Sequence, residues 1–171
     1  MLSEGMRAAV LAANAAYASL GVRYALVGGL AAGAYGAPRF TKDIDFLVGE
    51  EAFVRSGMII SFAKPMPLQA GDVAIDPIPL PEHPQRRARL DDALSHPVID
   101  ETLGVAIPMI SATALAYMKL ASPRGKDRDD IVTMMRAGNI DLPALMQATE
   151  DDPPLRARLD AAVAEHAADE Q

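Results

Sequence analysis

One stretch constrains this chain more than any other: an apolar run closed by two glycines and followed, after a short alanine-rich segment, by a pair of aspartates. Tyr24, Ala25, Leu26 and Val27 form the run, and Gly28 and Gly29 close it. A short apolar run ending in glycine reads as a buried strand entering a tight turn. Leu30 to Tyr35 then favours helix until Gly36 and Pro38 interrupt it. Asp43 to Val48, Asp-Ile-Asp-Phe-Leu-Val, alternates acidic and apolar residues before becoming wholly apolar. That order suits a strand with one end at a solvent-accessible site and the other in the core.

Side chains alternate along a strand with period two, so Asp43 and Asp45 share a face. Magnesium prefers hard oxygen ligands, and one or two carboxylates together with substrate phosphates commonly hold it. The glycine turn at Gly28 and Gly29 allows close backbone approach at a helix start, which suits phosphate oxygens. Arg39 adds a cationic donor upstream of the aspartates. Taken singly, either motif could be a plain turn or a solvated strand end; their order and spacing carry the signal.

Around this centre the pattern continues. Residues 4 to 20 place Met6, Val10, Ala13, Tyr17 and Leu20 near helical spacing, and Gly21 offers a left-handed stop. Glu51 to Gly57 reads as a short helix and Met58 to Phe62 as a strand. Asp72 to Ile78 predicts a further strand around Asp76, with Pro77 and Pro79 ending it or marking an edge. Arg86 to Leu94 suggests a charged helix, and Val98 to Ile107 a hairpin. Ser111 can cap a helix through Leu120, a second helix begins at Lys126, and Asp141 and Pro153 introduce two more.

With 171 residues, half of them apolar, the chain can bury one substantial core. The expectation is a single domain over 1–171, with a sheet-containing part to about residue 108, a helical part over about 109–165 and a disordered tail over about 166–171. There are no cysteines, which excludes disulfides, thiolate metal sites and cysteine nucleophiles. The three histidines, His83, His96 and His166, have no ligand spacing. No apolar run approaches the roughly 20 residues that span a bilayer, and the N-terminus lacks the order of a secretory signal, so a soluble cytoplasmic protein without a membrane partner is expected. A net charge of −7 argues against a broad, non-specific nucleic-acid surface. Two local basic clusters remain, at Arg86, Arg87 and Arg89 and at Arg124, Lys126 and Arg128.

The stretch YALVGGLAAGAYGAPRFTKDIDFLV resembles the nucleotidyltransferase superfamily, whose signature is an apolar strand, Gly-Gly or Gly-Ser, a short helix and Asp-x-Asp. It looks most like the branch related to the AbiEii abortive-infection toxins, with Gly28, Gly29, Arg39, Thr41, Asp43 and Asp45 in the matching order. A second block, MKLASPRGKDRDDI, is similar to that branch's downstream pattern through Lys119, Arg124, Lys126, Asp127, Asp130 and Ile131.

The resemblance implies an α/β (α+β) nucleotidyltransferase fold, a small mixed sheet flanked by helices with a helical C-terminal half. It implies a metal site of Asp43, Asp45 and a third carboxylate, for which Asp76 is the candidate and Asp72 the fallback, holding two magnesium ions. In the superfamily the third carboxylate also activates the acceptor hydroxyl. Gly28, Gly29, Arg39, Thr41, Lys119 and Asp127 would bind nucleotide, with Lys119 facing phosphates and Asp127 positioning nucleotide or a basic neighbour. The implied reaction moves a nucleoside monophosphate from a nucleoside triphosphate such as ATP to a hydroxyl on an RNA end, a protein or a small molecule. A toxin-antitoxin or phage-defence setting, with a cognate antitoxin or toxin as partner, follows from the resemblance alone. Two other readings compete: a non-catalytic member that binds nucleotide or a partner, and a Rossmann-like phosphate-binding module. The second is disfavoured because no G-x-G-x-x-G follows the first strand.

Overall fold

The computed structural model describes residues 2–122 and 124–169. The chain divides into two compact units. One comprises Met1–Leu30 with Phe40–Ile110, the other Ala31–Arg39 with Ser111–Gln171.

The first unit is built on strands. Helix α1 (Glu4–Ala18) starts at Ser3, whose hydroxyl accepts from the Met6 amide at 3.1 Å, and beyond its end Gly21 adopts φ +68°. A side-chain oxygen at this position satisfies one of the amides that a helix start leaves unpaired. The strands are β1 (Tyr24–Val27), β2 (Asp43–Val48), β3 (Phe53–Ser56), β4 (Ile59–Phe62), β5 (Gln69–Ala70), β6 (Val73–Pro79), β7 (Val98–Asp100) and β8 (Ile107–Met109). Six of them form one mixed sheet in the order β5-β6-β2-β1-β8-β7, while β3 and β4 pair as a separate two-stranded ribbon. β2 lies antiparallel to β1 and parallel to β6, and β1 is parallel to β8.

The segment predicted as a helix from Glu51 to Gly57 is instead a 3-10 turn (Glu50–Ala52) running into β3. Gly57, at φ +60°, turns the chain back into β4, and Phe53 faces Phe62 across the ribbon at 5.9 Å between ring centroids. Aromatic and β-branched residues at Phe53 and Val54 favour this pairing over helix. Pro77 and Pro79 lie within β6 and mark an edge, because β5 pairs only with Val73 and Ala74. A proline has no amide hydrogen to give to a neighbouring strand, so it is tolerated where no neighbour needs one. Helix α3 (Pro84–Ser95) completes this unit and buries Leu90 and Leu94.

The core of the unit sits beneath β1 and β2. Ile44, Phe46, Leu47 and Val48 are wholly buried, as are Ala25, Val27 and Tyr17. Tyr17 stacks on Phe46 at 4.7 Å and donates its hydroxyl hydrogen to the Pro67 carbonyl at 2.9 Å. A buried tyrosine therefore contributes apolar area while its polar end stays satisfied.

The second unit is helical. α2 (Gly28–Ala34) begins in the strand unit and its later residues belong here, with α4 (Ala112–Leu120), α5 (Gly125–Arg136), α6 (Leu142–Ala148) and α7 (Pro153–Asp169). Ser111 and Asp141 cap α4 and α6 through the amides of Ala114 and Ala144. Leu115, Ile131, Met134, Leu145, Leu155 and Leu159 form the core. α7 continues to Asp169, into the segment where a disordered tail was expected: Ala164, Ala167 and Ala168 are strong helix formers. The last two residues of that expected tail lie outside the described residues. Among the described residues, no helix is long and apolar enough to cross a membrane.

Candidate metal centre

The strand register builds the site. In the parallel pair of β2 and β6, Asp45 stands opposite Asp76, and Asp43 stands opposite Ala74. Asp43, Asp45 and Asp76 each offer one carboxylate oxygen within 4.8 Å of the others. Asp43 and Asp45 are partly buried and Asp76 is exposed, while Ile44 and Phe46 point into the core between and beyond them. The three residues nominated as metal ligands are thus brought together, and the fallback Asp72 is not among them.

Carboxylates this close repel one another unless a cation lies among them. The donors are all hard oxygens, and among the described residues no histidine belongs to the cluster. Such a set fits magnesium, which tolerates few protein ligands and fills its remaining positions with water and phosphate oxygens.

Two neighbours shape the cluster. Thr41 donates its hydroxyl hydrogen toward Asp43, with Oδ1 at 3.1 Å and the backbone oxygen at 3.2 Å, and so orients this carboxylate at the start of β2. Gly28 lies on the other side at φ +68°, and a Cβ placed there would fall 1.9 Å from Asp45 Oδ2 and 2.7 Å from its Cγ. Glycine is required twice over, by the left-handed backbone and by the carboxylate against it. The Gly-Gly turn and the Asp-x-Asp strand are therefore one packed feature rather than two adjacent motifs. Beneath them, burial first and the charge of Asp76 second raise the Tyr17 phenol to about 12, which keeps it neutral.

The remaining candidates, Arg39, Lys119 and Asp127, belong to the helical unit. Lys119 is only 5% exposed, and its Nζ lies 2.9 Å from Asp127 Oδ1 and 2.7 Å from Asp130 Oδ2. Asp130 also accepts an ion pair from Arg39 Nη2 at 3.3 Å, while the buried Nε of Arg39 has no hydrogen-bond partner among the described residues. Asp127 accepts from the Ser122 hydroxyl at 2.6 Å and from Arg124 Nε at 2.7 Å. Burial pushes the Asp127 carboxyl up, but the hydrogen bonds of Ser122, Lys119 and Arg124 outweigh it and hold the group below its ordinary range. Asp130, which the resemblance includes without a role, and Ser122, which no local pattern marks, are further members of this network.

Of the two basic clusters, Arg87 is paired with Glu50 at 2.5 Å, and Arg124 and Arg128 are paired with Asp127 and Glu165. Neither cluster is a row of unpaired cations.

This architecture is a nucleotidyltransferase-like fold: a mixed α/β chain whose acidic cluster sits on two adjacent parallel strands beside a glycine turn. The chain is similar to the crystal structure of an antigenic nucleotidyltransferase-like protein from Paracoccidioides brasiliensis, with 18% identity, a TM-score of 0.51, and coverage of 93% of this chain and 94% of that one. No protein-family model matches the chain, and no curated protein does.

Proposed function

We propose that the protein is a magnesium-dependent nucleotidyltransferase that moves a nucleoside monophosphate from a nucleoside triphosphate to a hydroxyl acceptor. The observation that carries this reading is the register of β2 against β6, which sets Asp76 opposite Asp45 and gathers three carboxylates within 4.8 Å beside the Gly28 backbone. A non-catalytic scaffold has no need of a third carboxylate there or of a glycine fitted against the second.

Asp43, Asp45 and Asp76 would hold the metal, whose charge, when bound, polarises phosphoryl oxygens and offsets the charge leaving with pyrophosphate. Thr41 keeps Asp43 oriented, so the carboxylate does not have to be ordered when substrate arrives. The Gly28-Gly29 turn receives phosphate oxygens on its backbone amides. The acceptor oxygen forms a bond to the α-phosphorus, the bond from that phosphorus to the β-phosphate bridging oxygen breaks, and pyrophosphate departs with the electron pair. Asp76, the exposed member of the cluster, takes the acceptor's proton.

Arg39, Lys119 and Asp127 are assigned to nucleotide binding by resemblance. The unpartnered Nε of Arg39 supports a ligand contact for that residue, and the two carboxylates on Lys119 support a positioning role for the lysine. The acceptor is an RNA end, a protein hydroxyl or a small molecule, and membership of a toxin-antitoxin pair belongs to the same proposal.

Pyrophosphate release, measured with each nucleoside triphosphate against RNA, protein and small-molecule acceptor pools, tests the reaction. Asp76→Asn is expected to keep triphosphate binding within a few-fold and to lower turnover by about 10²-fold or more. Equal turnover in Asp76→Asn and the unaltered protein would remove Asp76 from the chemistry.

A further inference from the structure

The helical unit contains a second site-like feature. A cavity of about 310 Å³ opens where the end of α4, the start of α5 and the middle of α7 meet. Its size is at the lower end of small-ligand pockets. Lys119, Arg124, Arg128 and Arg158 line it, and among the described residues no acidic side chain does. Leu120, Ile131, Ala161 and Ala162 give it an apolar wall.

The cations are arranged differently from one another. Lys119 is committed to Asp127 and Asp130, and Arg158 Nη1 donates to the Leu120 carbonyl at 2.7 Å, which fixes its stem across the cavity. Arg124 uses its Nε on Ser122 and Asp127, and Arg128 reaches Glu165 through Nη2. A guanidinium has five N–H donors, so these contacts leave Arg124 and Arg128 with donors for a ligand. The Arg128–Glu165 pair is solvent-exposed, at 52% and 37%, and such pairs exchange readily. The cavity also contains Gly125, the first residue of the 12-residue helix α5, whose N-cap Arg124 supplies no side-chain cap. Cations, the start of a helix at Gly125 and an adjoining apolar wall are complementary to an anion carrying an organic body.

We propose that this cavity binds a small organic phosphate, its phosphate held by Arg124, Arg128 and the Gly125 amide at the start of α5, its body against Leu120, Ile131, Ala161 and Ala162. Glu165 is the internal competitor: the ligand displaces it from Arg128. None of Asp43, Asp45 and Asp76 lines the cavity, so binding here needs no divalent cation.

The test is a calorimetric titration of the full chain with phenyl phosphate and, in parallel, inorganic phosphate, both with a chelator and no divalent metal. Saturable binding of phenyl phosphate is expected, tighter than inorganic phosphate because of the apolar wall. Arg128→Ala weakens it by about tenfold. Glu165→Gln, which removes the competitor and keeps the fold, tightens it several-fold. Asp43→Asn/Asp45→Asn leaves it unchanged. The proposal is overturned by an absence of saturable binding at millimolar concentrations, by affinities that ignore both Arg128→Ala and Glu165→Gln, or by binding lost in the double aspartate variant. Equal affinity for the two probes would overturn the organic-phosphate assignment. Circular dichroism of the variants guards against a fold defect, and the exposure of the Arg128–Glu165 pair makes one unexpected.

Discussion

At the scale of single residues, Gly28 shows most directly how backbone and chemistry are coupled. A methyl group there meets Asp45 Oδ2 at 1.9 Å, and an alanine at φ +68° is strained even without that contact. Gly28→Ala is expected to cost about 1–3 kcal/mol in urea unfolding and to abolish magnesium-dependent triphosphate binding, because Asp45 must move to make room. Lys119 is the counterpart in the helical unit. Lys119→Met leaves Asp127 and Asp130 buried with fewer partners, and removal of one member of a buried ion network costs about 3–5 kcal/mol. The lower end is expected, since Asp127 keeps Ser122 and Arg124 and Asp130 keeps Arg39. Denaturant unfolding of the variant checks this. The aspartate pair was legible from the sequence because strand alternation forces Asp43 and Asp45 to one face. The Lys119 network was not, because acidic residues in a first helical turn are already explained by the helix dipole, and nothing local shows that Asp130 closes on Arg39.

At the scale of elements, the strand-turn-helix-strand unit from Tyr24 to Val48 was readable because its glycines and its period-two pattern agree. β6 was readable too, and its prolines, ambiguous in sequence, are resolved by β5 ending before them. The ribbon of β3 and β4 was misread at its first strand. Glu50, Glu51 and Ala52 are good helix formers, and they do form one turn, but Gly57 and the cross-strand pairing of Phe53 with Phe62 are non-local facts. That 3-10 turn is tied down by Glu51, which accepts from the Arg23 amide at 2.8 Å and from its side chain at 3.0 Å. Hydrogen bonds from Arg23, against the opposing effect of burial, lower the Glu51 carboxyl from 4.5 to about 2. A depressed carboxyl contributes stability that is fully present above its ordinary range and is lost as pH falls through the folded value. Stability should therefore decline between about pH 5 and pH 2, and Glu51→Gln should flatten part of that decline in acid-unfolding curves; because the pair is partly exposed, the effect shrinks in high salt.

At the scale of the whole chain, the strands lie in the part before Ser111 and four helices follow it among the described residues. The sequence did not reveal that residues 31–39 belong with the helices. Two contacts explain that assignment: Gly36 at φ +95° lies so close to Ala137 that a Cβ would sit 2.5 Å from its methyl group, and Asn139 Nδ2 donates to the Tyr35 carbonyl at 2.9 Å. Partners separated by this much sequence leave no periodic trace. The charge of −7 bears on function at this scale, since counterion release from nucleic acid needs Lys and Arg in excess, so an RNA acceptor would have to be recognised locally. The proposed function requires Asp43, Asp45 and Asp76 to form a metal-dependent nucleotide site. Its most direct test is equilibrium binding of ATP with and without magnesium, to the unaltered protein and to Asp43→Asn/Asp45→Asn. Binding that requires magnesium and disappears in the variant is expected; magnesium-independent binding, or equal binding by both proteins, would rule out a nucleotide site built on these aspartates.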